Sequence, residues 1–203
     1  MDFENRPHRR YNPLLDEWCV VSPHRTQRPW QGKEEETGEA RPEYDPTCYL
    51  CPGNVRANGQ KNPDYDGVYV FPNDFPALLP DAEKAEESEG LFRVAPVRGE
   101  CRVICFSPRH DLTLASMPVE GIEQVVDLWS GQVRELSENY RWVQVFENKG
   151  AAMGCSNPHP HGQIWASDFL PSLPAREDAS QRSYLAQHGR RMLADVADTE
   201  SRD

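Results

Sequence analysis

The stretch CSNPHPHGQIWA, residues 155–166, decides how the rest of the chain is read. Two histidines separated by one proline are followed, two residues later, by Gln163. Side chains of an extended segment alternate faces, so His159, His161 and Gln163 are expected to project to one side. A row of two imidazoles and one amide marks a site.

Outward from that row, GQIWAS (162–167) and WVQVFEN (142–148) alternate as strands, joined by the small-residue stretch KGAAMGCSNP. Further upstream, Ile122, Val125, Val126, Trp129, Val133 and Leu136 recur at helical spacing, with Pro118 suited to the first turn and Glu120 and Glu123 near the positive dipole end. EWCVVS (17–22) and GVYVF (67–71) read as strands, and LFRVAPV (91–97) with CRVICF (101–106) as a hairpin turning at Arg98-Gly99. After Pro174 the helical pattern is weaker, and the tail TESRD is expected to fray. This order predicts an α+β fold with an antiparallel sheet and one long crossover helix.

The 203 residues suit one domain or slightly more, and 37% apolar with 27% charged composition is that of a folded, soluble chain. No apolar run reaches the ~18 residues of a membrane span, and MDFENRPHRRYN has no signal-peptide core, which predicts a cytoplasmic protein without a membrane partner. A net charge of −11 argues against nucleic acid as partner. Much of that charge lies in acidic loops near 33–46 and 80–90, while PHRRYNP (7–13) and SPHRTQRPW (22–30) are basic. Six cysteines without a secretory signal point to thiols or metal ligands. Cys19, Cys101 and Cys105 fall in strand-like runs and are expected in the core.

The gap in CYLC lets Cys48 and Cys51 reach one tetrahedral ion. A redox dithiol belongs at a strand-to-helix junction, which is not found here. Of His8, His24, His110, His159, His161 and His188, the best candidates to complete a zinc site are His110, directly after a strand, and His159. His161 is then free for chemistry. A neutral imidazole attacks phosphorus and its phosphoramidate passes the group onward; general base and second metal ligand are the alternatives. Gly154, Cys155 and Ser156 offer backbone N–H groups and a hydroxyl to phosphoryl oxygens. The Gln163 amide donates a hydrogen bond but is no general acid, which suits a leaving group as good as a sugar phosphate.

Taken together, RRYNPL, SPHRTQRPWQG, TCYLCPGN, NPDY, VFPNDFPAL, FENKGAAMGCSNPHPHGQIWA and FLPSLPAREDASQ resemble the galactose-1-phosphate uridylyltransferase family, a branch of the histidine-triad superfamily, in order over roughly residues 8–190. The resemblance implies a histidine-triad-like lobe over 1–180, followed by a helical or frayed tail, 181–203. It also implies a two-step exchange through uridylyl-His161, from UDP-glucose to galactose 1-phosphate. Cys48, Cys51, His110 and His159 then resemble zinc ligands. Asn73 and Asp74 resemble uridine and ribose contacts; Asn148, Gly154, Cys155, Ser156 and Gln163 resemble nucleotide and phosphate contacts. Arg25 and Arg28 resemble residues reaching the nucleotide sugar across a homodimer interface. Glu177 resembles a ligand of a second metal, iron.

Family members have two similar lobes, and the resemblance covers the first. The expectation is therefore that the zinc site and His161 form, while Glu177 lacks partners and sugar selection is impaired. A histidine-triad hydrolase or phosphorylase, a non-catalytic nucleotide-binding fragment and a zinc-ribbon nucleic-acid module are the competing readings.

Overall fold

In the computed structural model, which describes residues 3–29, 41–81, 87–155 and 157–202, the chain divides into two compact units. One spans Glu36–Phe169; the other joins Met1–Glu35 to Leu170–Asp203.

The first unit is built on a four-stranded antiparallel sheet of β3 (Tyr69–Pro72), β4 (Gly99–Cys105), β5 (Trp142–Phe146) and β6 (His161–Ser167), in the order β3-β4-β6-β5. The long helix α1 (Val119–Leu136) connects β4 to β5, which run parallel because each is antiparallel to the β6 that fills the gap between them. Strand alternation then divides the chemistry. Ile104 of β4 with Ile164 and Ala166 of β6 belong to a core with Phe106, Val125 and Leu136, where the Trp129 ring meets the edge of Phe106 at 5.9 Å. Arg102 ties β4 to α1, donating to Gln132 Oε1 at 2.5 Å and Glu135 Oε1 at 2.8 Å. Cys105, which faces the other way, joins a second cluster with Cys48, Leu50, Cys51 and Phe71. His161 and Gln163 stand opposite Cys105 and Val103 in the register, so they share that second face.

Gly162 shows how closely the layers approach. A Cβ there would lie 2.8 Å from Phe106 Cζ and 2.8 Å from the Phe146 carbonyl oxygen, so the residue between His161 and Gln163 must lack a side chain.

The second unit contains the hairpin of β1 (His8–Asn12) and β2 (Glu17–Val21), a 3-10 turn at Pro23–Gln27, and the helices α2 (Ser172–His188) and α3 (Met192–Glu200). Asn12 Oδ1 accepts from the Leu14 amide at 3.1 Å to turn the hairpin, and Arg176 of α2 donates to the Leu15 carbonyl at 3.1 Å. No helix among the described residues is long and apolar enough to cross a membrane.

Two expectations are corrected. Residues 91–97 form no hairpin with β4, because β3 and β6 occupy both its edges; instead Ser88 and Val94 close a local loop in which Leu91 and Phe92 are exposed. Cys19 is exposed, not core, since among the described residues β1 and β2 pair only with each other, and its thiol donates to the Arg10 carbonyl at 3.4 Å. Upstream of the sheet, the Glu43 carbonyl accepts from the His110 amide at 2.8 Å. The acidic run 33–39 lies outside the described residues.

Candidate active site and metal centre

The CYLC segment is folded by its own polar groups. Asp45 Oδ1 accepts from the Thr47 amide and hydroxyl at 2.8 and 2.7 Å, and Asn54 Nδ2 donates to the carbonyls of Asp45 and Cys48 at 3.0 and 2.8 Å. The Cys51 amide returns to the Cys48 carbonyl at 3.2 Å. This tight turn brings the two sulfurs together with His110, which follows β4, and His159, which precedes β6. One ligand atom from each of the four residues lies within 4.8 Å of the others, and all four residues are buried.

Cys51 Sγ is 3.6 Å from His110 Nδ1 and 3.5 Å from His159 Nδ1. A tetrahedron with metal bonds of roughly 2.3 Å to sulfur and 2.0 Å to nitrogen has S···N edges of about 3.5 Å. The cluster therefore has the dimensions to hold a tetrahedral ion. Its second layer sets the tautomer. Tyr65 donates its hydroxyl proton to the Leu50 carbonyl at 2.6 Å, so its oxygen, 3.1 Å from His159 Nε2, accepts from that nitrogen and leaves Nδ1 free to ligate. Asn157 links the two halves, donating from Nδ2 to Cys48 Sγ at 3.4 Å and accepting the His159 amide at 2.9 Å. Burial pushes the Cys51 thiol up to about 11 and, with repulsion from His110, the His159 imidazole down to about 4. Burial also lowers His110. Both imidazoles are thus neutral donors at pH 7.

His159 sits in a bend, and β6 begins two residues later, so the strand face carries His161 and Gln163 while the His159 ring turns into the metal cluster. His161 Nδ1 lies 2.7 Å from the His159 carbonyl, which can only accept; Nδ1 is the donor, and Nε2 keeps its lone pair. His161 and Gln163 lie on the border of two clefts. One, about 160 Å³, is lined also by Asn148, Gly154, Cys155 and Asn157. The other, about 310 Å³, is lined by Leu50, Ala57, Phe71, Asn73, Asp74, Phe75 and Val103. Gln163 Oε1 receives Trp165 Nε1 at 3.2 Å and Asn73 Nδ2 at 3.4 Å. With its carbonyl occupied, the Gln163 amide NH2 is left to donate. Gly154, at φ +78, turns the backbone beside Cys155 in a conformation that favours glycine.

The structure thus brings together Cys48, Cys51, His110 and His159, and, beside them, His161, Gln163, Asn73, Asp74, Asn148, Gly154 and Cys155. Ser156 lies outside the described residues. Arg25 and Arg28 are exposed at the 3-10 turn of the other unit, and Glu177 is half-buried on α2, joining no group of three potential ligands among the described residues. Sequence reasoning missed Tyr49, which lines both clefts, and the outer residues Asn157 and Tyr65. Tyr49 lies inside CYLC and Asn157 two residues before His159, so proximity to the ligands was the available signal.

Fold and site together define an α+β lobe whose antiparallel sheet carries a buried Cys2His2 group beside two clefts. The chain belongs to the galactose-1-phosphate uridyl transferase family, whose N-terminal domain model matches residues 1–171. It is 59% identical to a galactose-1-phosphate uridylyltransferase of Haemophilus influenzae over 196 residues, covering 96% of this chain and 56% of that protein. It is 53% identical to one from Rattus norvegicus, covering 95% of this chain and 52% of that protein. The chain spans about half the length of the curated relatives it matches. A crystal structure of an ADP-glucose phosphorylase from Arabidopsis thaliana with bound ADP-glucose superposes with a TM-score of 0.68 at 21% identity, over 95% of this chain and 58% of that chain, which shows a shared fold.

Proposed function

We propose that this chain carries the nucleotide-handling chemistry of a uridylyl transfer from UDP-glucose to galactose 1-phosphate. The observation that carries the reading is the His161–His159 hydrogen bond of 2.7 Å, which fixes the His161 tautomer with Nε2 as the unprotonated nitrogen. That nitrogen attacks the α-phosphorus. The N–P bond forms as the bond from phosphorus to the bridging oxygen breaks, and the electron pair leaves on glucose 1-phosphate. A sugar phosphate, with a second pKa of about 6, departs without a proton donor. The Gln163 NH2 accordingly donates to a nonbridging oxygen, where charge builds up. Galactose 1-phosphate then attacks the same phosphorus, giving UDP-galactose and restoring His161.

The larger cleft, with Phe71, Phe75 and Val103 as apolar walls and Asn73 and Asp74 at its polar end, suits a base and ribose. The smaller one, with Asn148, Gly154 and Cys155, suits the phosphates. Cys48, Cys51, His110 and His159 would hold Zn2+, which supplies a structural cross-link that positions the peptide entering β6. Arg25 and Arg28 reach the nucleotide sugar of a second protomer in a cytoplasmic homodimer, Ser156 adds a phosphate contact, and Glu177 contributes to an Fe2+ site completed by further ligands.

Isotope exchange tests the reading. Labelled glucose 1-phosphate is expected to enter UDP-glucose with no galactose 1-phosphate present, because the first half-reaction is reversible by itself. Absence of exchange by zinc-loaded, folded chain would overturn it. Release of uridine monophosphate faster than exchange would instead favour hydrolysis.

A further inference from the structure

Arg56 is buried, with a side chain only 5% exposed, yet its guanidinium is poorly satisfied. Nη2 donates to Gln60 Oε1, while Nε and Nη1 have no hydrogen-bond partner among the described residues. Nη1 lies 3.7 Å from Asp74 Oδ1, also buried and without a hydrogen bond, and the guanidinium stacks over the Phe71 ring at 4.2 Å. Asp74 and Phe71 both line the larger cleft, whereas Arg56 does not. The Arg56 amide donates to the Gln60 carbonyl at 2.8 Å and the Gly59 amide to the Arg56 carbonyl at 2.9 Å, so the loop presents this cation at one place.

A buried guanidinium with unmet donors is costly unless a charge lies close by. Asp74 provides that charge, and the benefit runs in both directions. A lone carboxylate lining a cleft for an anionic ligand would repel it; a cation 3.7 Å from one oxygen offsets that field and favours the orientation that keeps this oxygen toward it. We infer that Arg56 is a positioning residue that acts through Asp74, setting the carboxylate to recognise a ribose hydroxyl while removing its repulsion toward the nucleotide phosphates.

This inference rests on the nucleotide reading of the larger cleft. The test is titration calorimetry of the zinc-loaded chain with UDP and with its 2′-deoxy and 3′-deoxy counterparts, for the parent, Arg56→Met, Arg56→Lys, Asp74→Asn and the Met/Asn double variant. Zinc content serves as the folding check. Arg56→Met is expected to weaken UDP binding about tenfold or more and to lower the preference for the intact ribose toward one. Arg56→Lys should recover part of both, and adding Arg56→Met to Asp74→Asn should change little. Additive losses with the ribose preference retained in Arg56→Met would overturn the inference while leaving the nucleotide reading in place. No UDP binding by the parent would overturn that reading, and the Arg56 inference with it.

Discussion

His159 serves two centres at once: its ring lies in the Cys2His2 cluster with Nδ1 3.5 Å from Cys51 Sγ, and its carbonyl oxygen lies 2.7 Å from His161 Nδ1. In the proposed reading, metal ligation and nucleophile orientation are therefore coupled through a single residue. Stripping the metal with a chelator should reduce uridylyl exchange by at least about tenfold even though every residue around His161 remains, the range expected when supporting contacts of a site loosen. Full exchange activity in metal-free chain would separate the two centres.

Gln163 is oriented by two donors on its oxygen, which in the proposed reading leaves its NH2 for the phosphoryl group. Gln163→Ala should lower the exchange rate by about 10²–10³, the cost of one preorganised donor to a developing charge. Zinc content should be unchanged. Asn73→Ala, which removes only the 3.4 Å donor, should cost less. Stopped-flow or exchange kinetics on both variants measure the difference.

The Cys51 thiol, held up at about 11 by burial, is protonated at pH 7 in the metal-free cluster, whereas His159, at about 4, is already neutral. Ligation must therefore expel the thiol proton but none from this imidazole. Metal affinity should rise by about tenfold per pH unit for that thiol through neutral and mildly alkaline pH, because its folded pKa lies above the range. Competition with a chromophoric chelator from pH 6.5 to 8.5 reads the slope. Affinity that changes only between pH 4 and 6 would assign control to the imidazoles instead.

Asn157 bridges Cys48 Sγ and the His159 amide. Asn157→Ala should weaken metal binding about 10- to 100-fold, as loss of outer-layer partners does, without removing a ligand. The same chelator competition checks it.

Gly162→Ala would force a methyl to within 2.8 Å of Phe106 and of the Phe146 carbonyl. A destabilisation of about 1–3 kcal/mol is expected from such overpacking. Because Gly162 separates His161 from Gln163, activity should fall further than the unfolded fraction accounts for. Denaturant melts alongside exchange rates separate the two effects.

The strands around the site were legible because their alternation survives in sequence: β5 and β6 lie where WVQVFEN and GQIWAS alternate, and α1 where apolar residues recur at helical spacing. The four residues of the Cys2His2 group were legible from the CYLC gap and from histidines bordering strands. The hairpin at 91–97 was misread because an apolar run carries no information about which sheet edges are already taken. β1 was missed because HRRYN is nearly all polar, its pairing with β2 being backbone and turn chemistry rather than burial. Tyr65 and Arg56 were invisible for a related reason: each acts on a residue far from it in sequence, His159 and Asp74, through contacts that exist only once the sheet is assembled.

The most direct measurement is the intact mass of the purified, zinc-loaded chain after brief incubation with UDP-glucose, beside His161→Ala. One added uridylyl group on the parent and none on the variant is the expected result, with the group lost on addition of glucose 1-phosphate. A folded, metal-loaded chain that binds UDP-glucose yet gains no mass, or an adduct that persists in His161→Ala, would contradict His161 as the nucleophile.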